Sequence, residues 1–126
     1  MARYQRQIAT AQTVTFVFPV WMYGLPAILK GYFERVWVPE VTFSLKSGAP
    51  VALLMGLRKV RVACTFGQPR SFYERSADPV ALFFGQLMSQ NCAPDCVFDY
   101  APLFGLDGAK EAAIASHLAK AERMFD

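Results

Sequence analysis

The sequence has a single histidine, His117, and three cysteines, an odd number with no framework to pair them. Cys92 and Cys96 are spaced C-x3-C, without a second cysteine pair or a nearby histidine, which argues against a zinc site. Reduced thiols of a cytoplasmic protein account for them better. Charge is sparse and mixed. Thirteen basic and ten acidic residues leave a net +3, and only the stretch 57–61, LRKVR, gathers cations. It reads as the exposed approach to a strand, so composition points away from nucleic acid as a partner. Long apolar runs are missing too. The stretch from Val14 to Leu29 is broken at Pro19, Gly24 and Pro26 and ends at Lys30, too short and interrupted to span a membrane. After Arg3 and Arg6, polar residues from Gln7 to Thr15 stand where a signal peptide would be apolar. With no repeats, linkers or low-complexity segments, the expectation is one cytoplasmic domain over residues 1–126.

Apolar residues, by contrast, are plentiful. They make up 54% of the chain, and the mean hydropathy is +0.23. That is high for a length that can bury a core unaided. The excess predicts that some apolar surface is covered by a partner subunit, a ligand or further chain.

These residues fall into alternating periods. An N-terminal helix end over 2–12 leads into a strand at 13–18, with Val14, Phe16 and Phe18 on one face and Pro19 as its stop. A turn over 20–25 carries Trp21, Met22 and Tyr23 and ends near Gly24. Pro26 suits the first turn of a helix that turns Ile28, Leu29, Tyr32, Phe33, Val36 and Trp37 inward and stops at Pro39. A loop to about Leu53 precedes a second strand at 58–65. A long loop then reaches Asp78, the N-cap of an apolar helix over 79–90. Residues 96–104 form a third strand, bent near Pro102. Asp107 and Gly108 open a last helix, with Ile114, Leu118, Ala121 and Phe125 inward and His117 outward. Strands alternating with helices imply an α/β fold with a parallel sheet and right-handed crossovers.

In such a sheet, ligands bind in the crevice at the carboxyl ends of the strands. The turn at 20–25 and the loop after the second strand both lie there. Trp21 and Tyr23 could offer ring faces to a flat ligand, or Trp21, Met22 and Tyr23 could simply fill the core. Thr65, Phe66 and Gly67 could frame that ligand, or form an ordinary strand-ending turn.

The stretch FPVWMYGLPAILKGYFERVW resembles the FP-x-x-W-x-G-x-PA-x-LKG-x-x-(D/E)RV segment of the flavin-dependent NAD(P)H:quinone oxidoreductases of the flavodoxin-like fold. Phe18, Pro19, Gly24, Pro26, Ala27, Leu29, Lys30, Gly31, Glu34, Arg35 and Val36 carry the match. In the second loop, Thr65 and Gly67 match a TTGG pattern in which Phe66 and Gln68 replace the other two residues. Tyr73 matches a tyrosine eight residues after the first threonine.

The resemblance implies a flavodoxin-like three-layer parallel sheet, truncated to about three strands with flanking helices, because the family's first strand and phosphate-binding loop have no counterpart before Gln12. A shortened reading frame, with Met1 as an internal start, or a degraded copy is the expected origin. The resemblance also implies FMN or FAD as cofactor, NAD(P)H as reductant, a quinone-like acceptor, and a homodimer. The flavin ring would be framed by the backbone of Pro19, Val20, Trp21, Met22, Tyr23 and Gly24 and of Thr65, Phe66, Gly67 and Gln68. Tyr73 would be the catalytic candidate. No histidine follows it, so it is at most a hydrogen-bond donor and the chemistry rests on the flavin. A non-catalytic remnant or interaction module with weak or no flavin binding is the alternative. An electron-carrier flavodoxin fits less well, since those are acidic and this chain is basic.

Overall fold

The computed structural model describes residues 1–126. Its elements are α1 (Ala2–Thr10), β1 (Thr13–Pro19), α2 (Ala27–Val36), β2 (Phe43–Ser44), β3 (Val51–Ala52), β4 (Lys59–Thr65), α3 (Arg70–Tyr73), α4 (Pro79–Asn91), β5 (Val97–Leu103) and α5 (Glu111–Arg123). The main sheet has three parallel strands in the order β1-β4-β5. Phe16, Val62 and Tyr100 share one level of the register, and Phe18, Cys64 and Pro102 the next but one. An α/β chain with a three-stranded parallel sheet flanked by helices, as expected, is what forms.

Side chains alternate across the sheet. Phe16, Phe18, Val60, Val62 and Cys64 are buried in one cluster with Phe33, Val36 and Phe84, which lie on α2 and α4. Phe84 is the centre of that layer. Its ring lies 5.4 Å from Phe16, 6.3 Å from Phe18 and 5.9 Å from Phe98, so one side chain touches both outer strands. Asp78 starts α4 as the sequence suggests, its Oδ1 accepting from the N–H groups of Val80 and Ala81. Its Oδ2 accepts from the Tyr100 hydroxyl at 2.6 Å and thereby ties α4 to β5.

Five local expectations are corrected. The loop after Pro39 contains the small antiparallel pair β2–β3, and the loop after Thr65 contains the single turn α3. Pro26 is the cap residue of α2 rather than its first helical residue. Ile28, expected inward, is 87% exposed, because α2 overhangs the side of β1 where no further strand lies. Finally, α5 is rotated on its axis. Asp107 and Gly108 belong to a separate 3-10 turn (Leu106–Gly108), and Lys110 occupies the cap position. Leu118 and Phe125 are exposed, whereas His117 is half-buried, with its pKa lowered by burial first and by Lys120 second. Helix α5 packs chiefly on β5, so only one flank of it meets protein.

Candidate functional site

The carboxyl ends of β1 and β4 open into a crevice of about 430 Å³. Its first wall is the turn after β1. Val20 N–H donates to Thr65 O at 2.7 Å, binding the turn to the end of β4. Trp21 and Gly24 then exchange both backbone hydrogen bonds, at 3.1 and 3.0 Å. Met22 and Tyr23 between them have φ of 46° and 63°. Two successive left-handed residues inside a reciprocal bridge form the tight turn that Asn-Gly pairs normally make. Non-glycine residues hold it at a cost of order 1–3 kcal/mol each. The turn therefore pushes its side chains outward. Met22 is 92% exposed and Trp21 and Tyr23 are each 62% exposed, which rules out the core-filling reading of all three. Tyr23 stacks on Phe72 of α3, with ring centroids 5.9 Å apart.

The second wall is the loop after β4, held against the loop after β5. Phe66 N–H donates to Leu103 O, Leu106 N–H to Phe66 O, and Gly105 N–H to Gln68 O, all between 2.7 and 2.9 Å. The Phe66 ring is fully buried, stacked 4.4 Å from Phe104 and edge-on to Tyr73. Only the Phe66 backbone can face a ligand. A β-carbon at Gly67 would lie 2.9 Å from Oδ2 of Asp107, an exposed side chain that could shift to admit it.

The backbone N–H groups of Met22, Gly67 and Asp107 in the lining, and of Tyr23 and Gln68 beside it, donate to no acceptor in the chain. Such groups are strong and obligatory donors. They suit the carbonyl and ring-nitrogen acceptors of a flat heterocycle. Among the residues anticipated from sequence, the crevice gathers Pro19, Val20, Trp21, Met22, Thr65 and Gly67. Tyr23, Gly24, Phe66, Gln68 and Tyr73 stand outside its lining. Leu106 and Asp107 complete it and were not anticipated. The available signal was topological, since the loop after a third parallel strand reaches the same sheet edge as the other two.

The residue pattern of the family described as flavodoxin-like fold matches residues 1–125. The chain belongs to that family. An FMN-dependent NADH:quinone oxidoreductase of Caldicellulosiruptor bescii is 36% identical to it over 66 residues, 52% of this chain and 33% of that protein. A protein of the same name from Clostridium perfringens is 31% identical over 87 residues, 66% of this chain and 44% of that protein. An FMN-dependent NADH-azoreductase from Bacillus anthracis, solved in complex with FMN, superposes with a TM-score of 0.76 at 17% identity, covering 99% of this chain and 61% of its own. An NAD(P)H:quinone oxidoreductase from Methanothermobacter marburgensis gives 0.73 at 19% identity, covering 97% of this chain and 61% of its own. The chain thus spans less than half the length of these curated relatives.

Within this flavodoxin-like chain, Tyr73 is 7% exposed and packs among Phe66, Phe72 and Phe104. Burial first, then the neighbourhood of Tyr23 and Asp78, pushes its phenol above the ordinary value. It stays protonated at neutral pH and can donate a proton only into a hydrogen bond. The largest concavity, about 620 Å³, lies elsewhere, along the open side of β1 beneath α1 and α2. It is mainly apolar and holds no carboxylate, amine or imidazole, so it has the character of an uncovered packing surface rather than a reaction site. No helix is long and apolar enough to cross a membrane.

Proposed function

We propose that the crevice holds the isoalloxazine ring of FMN, and that the chain forms part of an NAD(P)H:quinone-type oxidoreductase. The observation that carries this reading is the set of unpaired N–H groups of Met22, Tyr23, Gly67 and Gln68 on two mutually bonded loops at the strand ends. The FMN-dependent names of the relatives support the choice of flavin. Bound there, FMN would take a hydride from NAD(P)H and pass it to a quinone-like acceptor, the two substrates using one site by turns.

The chain's own part is to bind, orient and exclude water. The free N–H groups hold the ring's acceptor atoms. Trp21 and Tyr23 supply apolar faces for the acceptor, and Phe72 holds Tyr23 in place. Tyr73 supports the loop and at most donates a hydrogen bond. A homodimer would use α4, where Leu82 is exposed beside half-buried Phe83 and Leu87.

The ring fits this crevice better than the phosphate does. The lining contains no lysine or arginine, so the phosphate gains no charge-assisted hydrogen bond there, each worth about 1.5–3 kcal/mol. Quenching of flavin fluorescence by the folded chain tests the reading. FMN and riboflavin should both bind at micromolar concentration, with dissociation constants within about threefold of each other because only the ring is held. Absence of quenching for both would reject it. A second reading, a non-catalytic interaction module, would then stand, favoured by the open apolar side of β1.

A further inference from the structure

We propose that Asp107 sets the redox preference of the crevice, its carboxylate favouring the oxidised flavin over the reduced one. The inference rests on the crevice binding a flavin ring. Asp107 is the only charged residue in the lining. It takes part in no salt bridge and no hydrogen bond within the chain, so its charge is not cancelled locally. The backbone that carries it is also held. Gly105 turns the chain at a φ of 71°, and the N–H groups of Gly105 and Leu106 bond to Gln68 O and Phe66 O at 2.8 and 2.9 Å. On that backbone the carboxylate lies against Gly67, its Oδ2 2.9 Å from where a β-carbon there would sit. A ring framed by Thr65 and Gly67 on one side and by Val20 to Met22 on the other has this carboxylate as its nearest charge.

Two-electron reduction delivers two electrons and a proton to N5 of a flavin. Above neutral pH it leaves the ring negatively charged at N1. A like charge within about 4–6 Å disfavours the charged form. The oxidised ring is neutral and feels little of this. Because Asp107 is exposed to solvent, screening keeps the effect moderate.

The experiment compares wild type with Asp107→Asn, which removes the charge and keeps the shape. Both are titrated anaerobically at pH 8 with riboflavin, oxidised or reduced by dithionite, with circular dichroism as the fold control. Oxidised riboflavin should bind the two chains within about twofold. Reduced riboflavin should bind Asp107→Asn about tenfold more tightly than wild type, equivalent to a rise of about 30 mV in the bound two-electron potential. Asp107→Glu, which retains the charge, should keep the wild-type ratio. An unchanged ratio of oxidised to reduced affinity in Asp107→Asn overturns the assignment while leaving the flavin site intact. Failure of either form to bind any of the folded chains overturns the flavin site and the assignment together.

Discussion

The two outer strands of the sheet, β1 and β5, are written in different ways. Strand β5, VFDYAPL, carries a charge and a proline in its interior. Asp99 lies 3.7 Å from the Arg61 guanidinium of β4, and Pro102 sits opposite Cys64 without an N–H to leave exposed. The Tyr100 hydroxyl ties the same strand to the cap of α4. Inward charges and prolines are how sheet edges are kept from pairing with other chains. Strand β1, TVTFVFP, has no charge, and its proline comes only at the end. Val17 is 74% exposed on its uncovered face. An apolar, β-branched and aromatic strand of this kind belongs to the interior of a parallel sheet, with neighbours on both sides. Both strands are edges by position, but only β5 is an edge by chemistry.

The residue the two edges share gives the largest expected effect. Phe84→Ala removes the ring between Phe16 and Phe98 and should lower unfolding free energy in urea by about 3–5 kcal/mol. Amide exchange should accelerate in β1 and β5 together. Loss confined to one strand would mean that the edges do not lean on a common core. Asp78→Ala should separate them. It removes the cap of α4 and strands the Tyr100 hydroxyl, at a combined cost of about 2–3 kcal/mol. Faster exchange is expected in α4 and β5, with β1 unchanged. Equal loosening of β1 would contradict the view that only β5 is tethered in this way.

The parts legible from sequence are those set by local rules. Strand periods, the Asp78 cap and the order of elements follow from alternation, proline placement and side-chain chemistry within a few residues. What escaped depends on neighbours that a one-dimensional pattern does not reveal. The periodicity of α2 marks Ile28 as inward, yet the wall it would face is absent on that side of β1. On α5, Leu118 and Phe125 turn outward and His117 is half-buried because only the flank that packs on β5 meets protein. Within the site, the two ligand-facing loops were legible because each follows a strand directly. The outward projection of Trp21, Met22 and Tyr23 was not, since it results from left-handed backbone at two residues that rarely adopt it. Asp107 was read as a helix opener because Asp-Gly suits that role. Its place beside Gly67 comes from pairing between loops more than thirty residues apart in sequence.

The smallest effect on stability should be the most telling about the edges. Val17 on β1 and Val97 on β5 are both exposed, 74% and 48%, and exposed substitutions away from special features usually change stability by less than about 0.5 kcal/mol. Val17→Lys and Val97→Lys should therefore unfold close to wild type. Their association should differ. A lysine on a bare strand hinders edge-to-edge pairing. Sedimentation over a range of concentrations should show wild type and Val97→Lys associating as concentration rises, and Val17→Lys remaining smaller. If both lysines act alike, or if wild type shows no association, β1 is no more available for pairing than β5. The chemical contrast between the strands would then lack a physical consequence. If only Val17→Lys acts, the open side of β1 is the surface through which this chain recruits another polypeptide, and the crevice beside it is completed or left incomplete by what docks there.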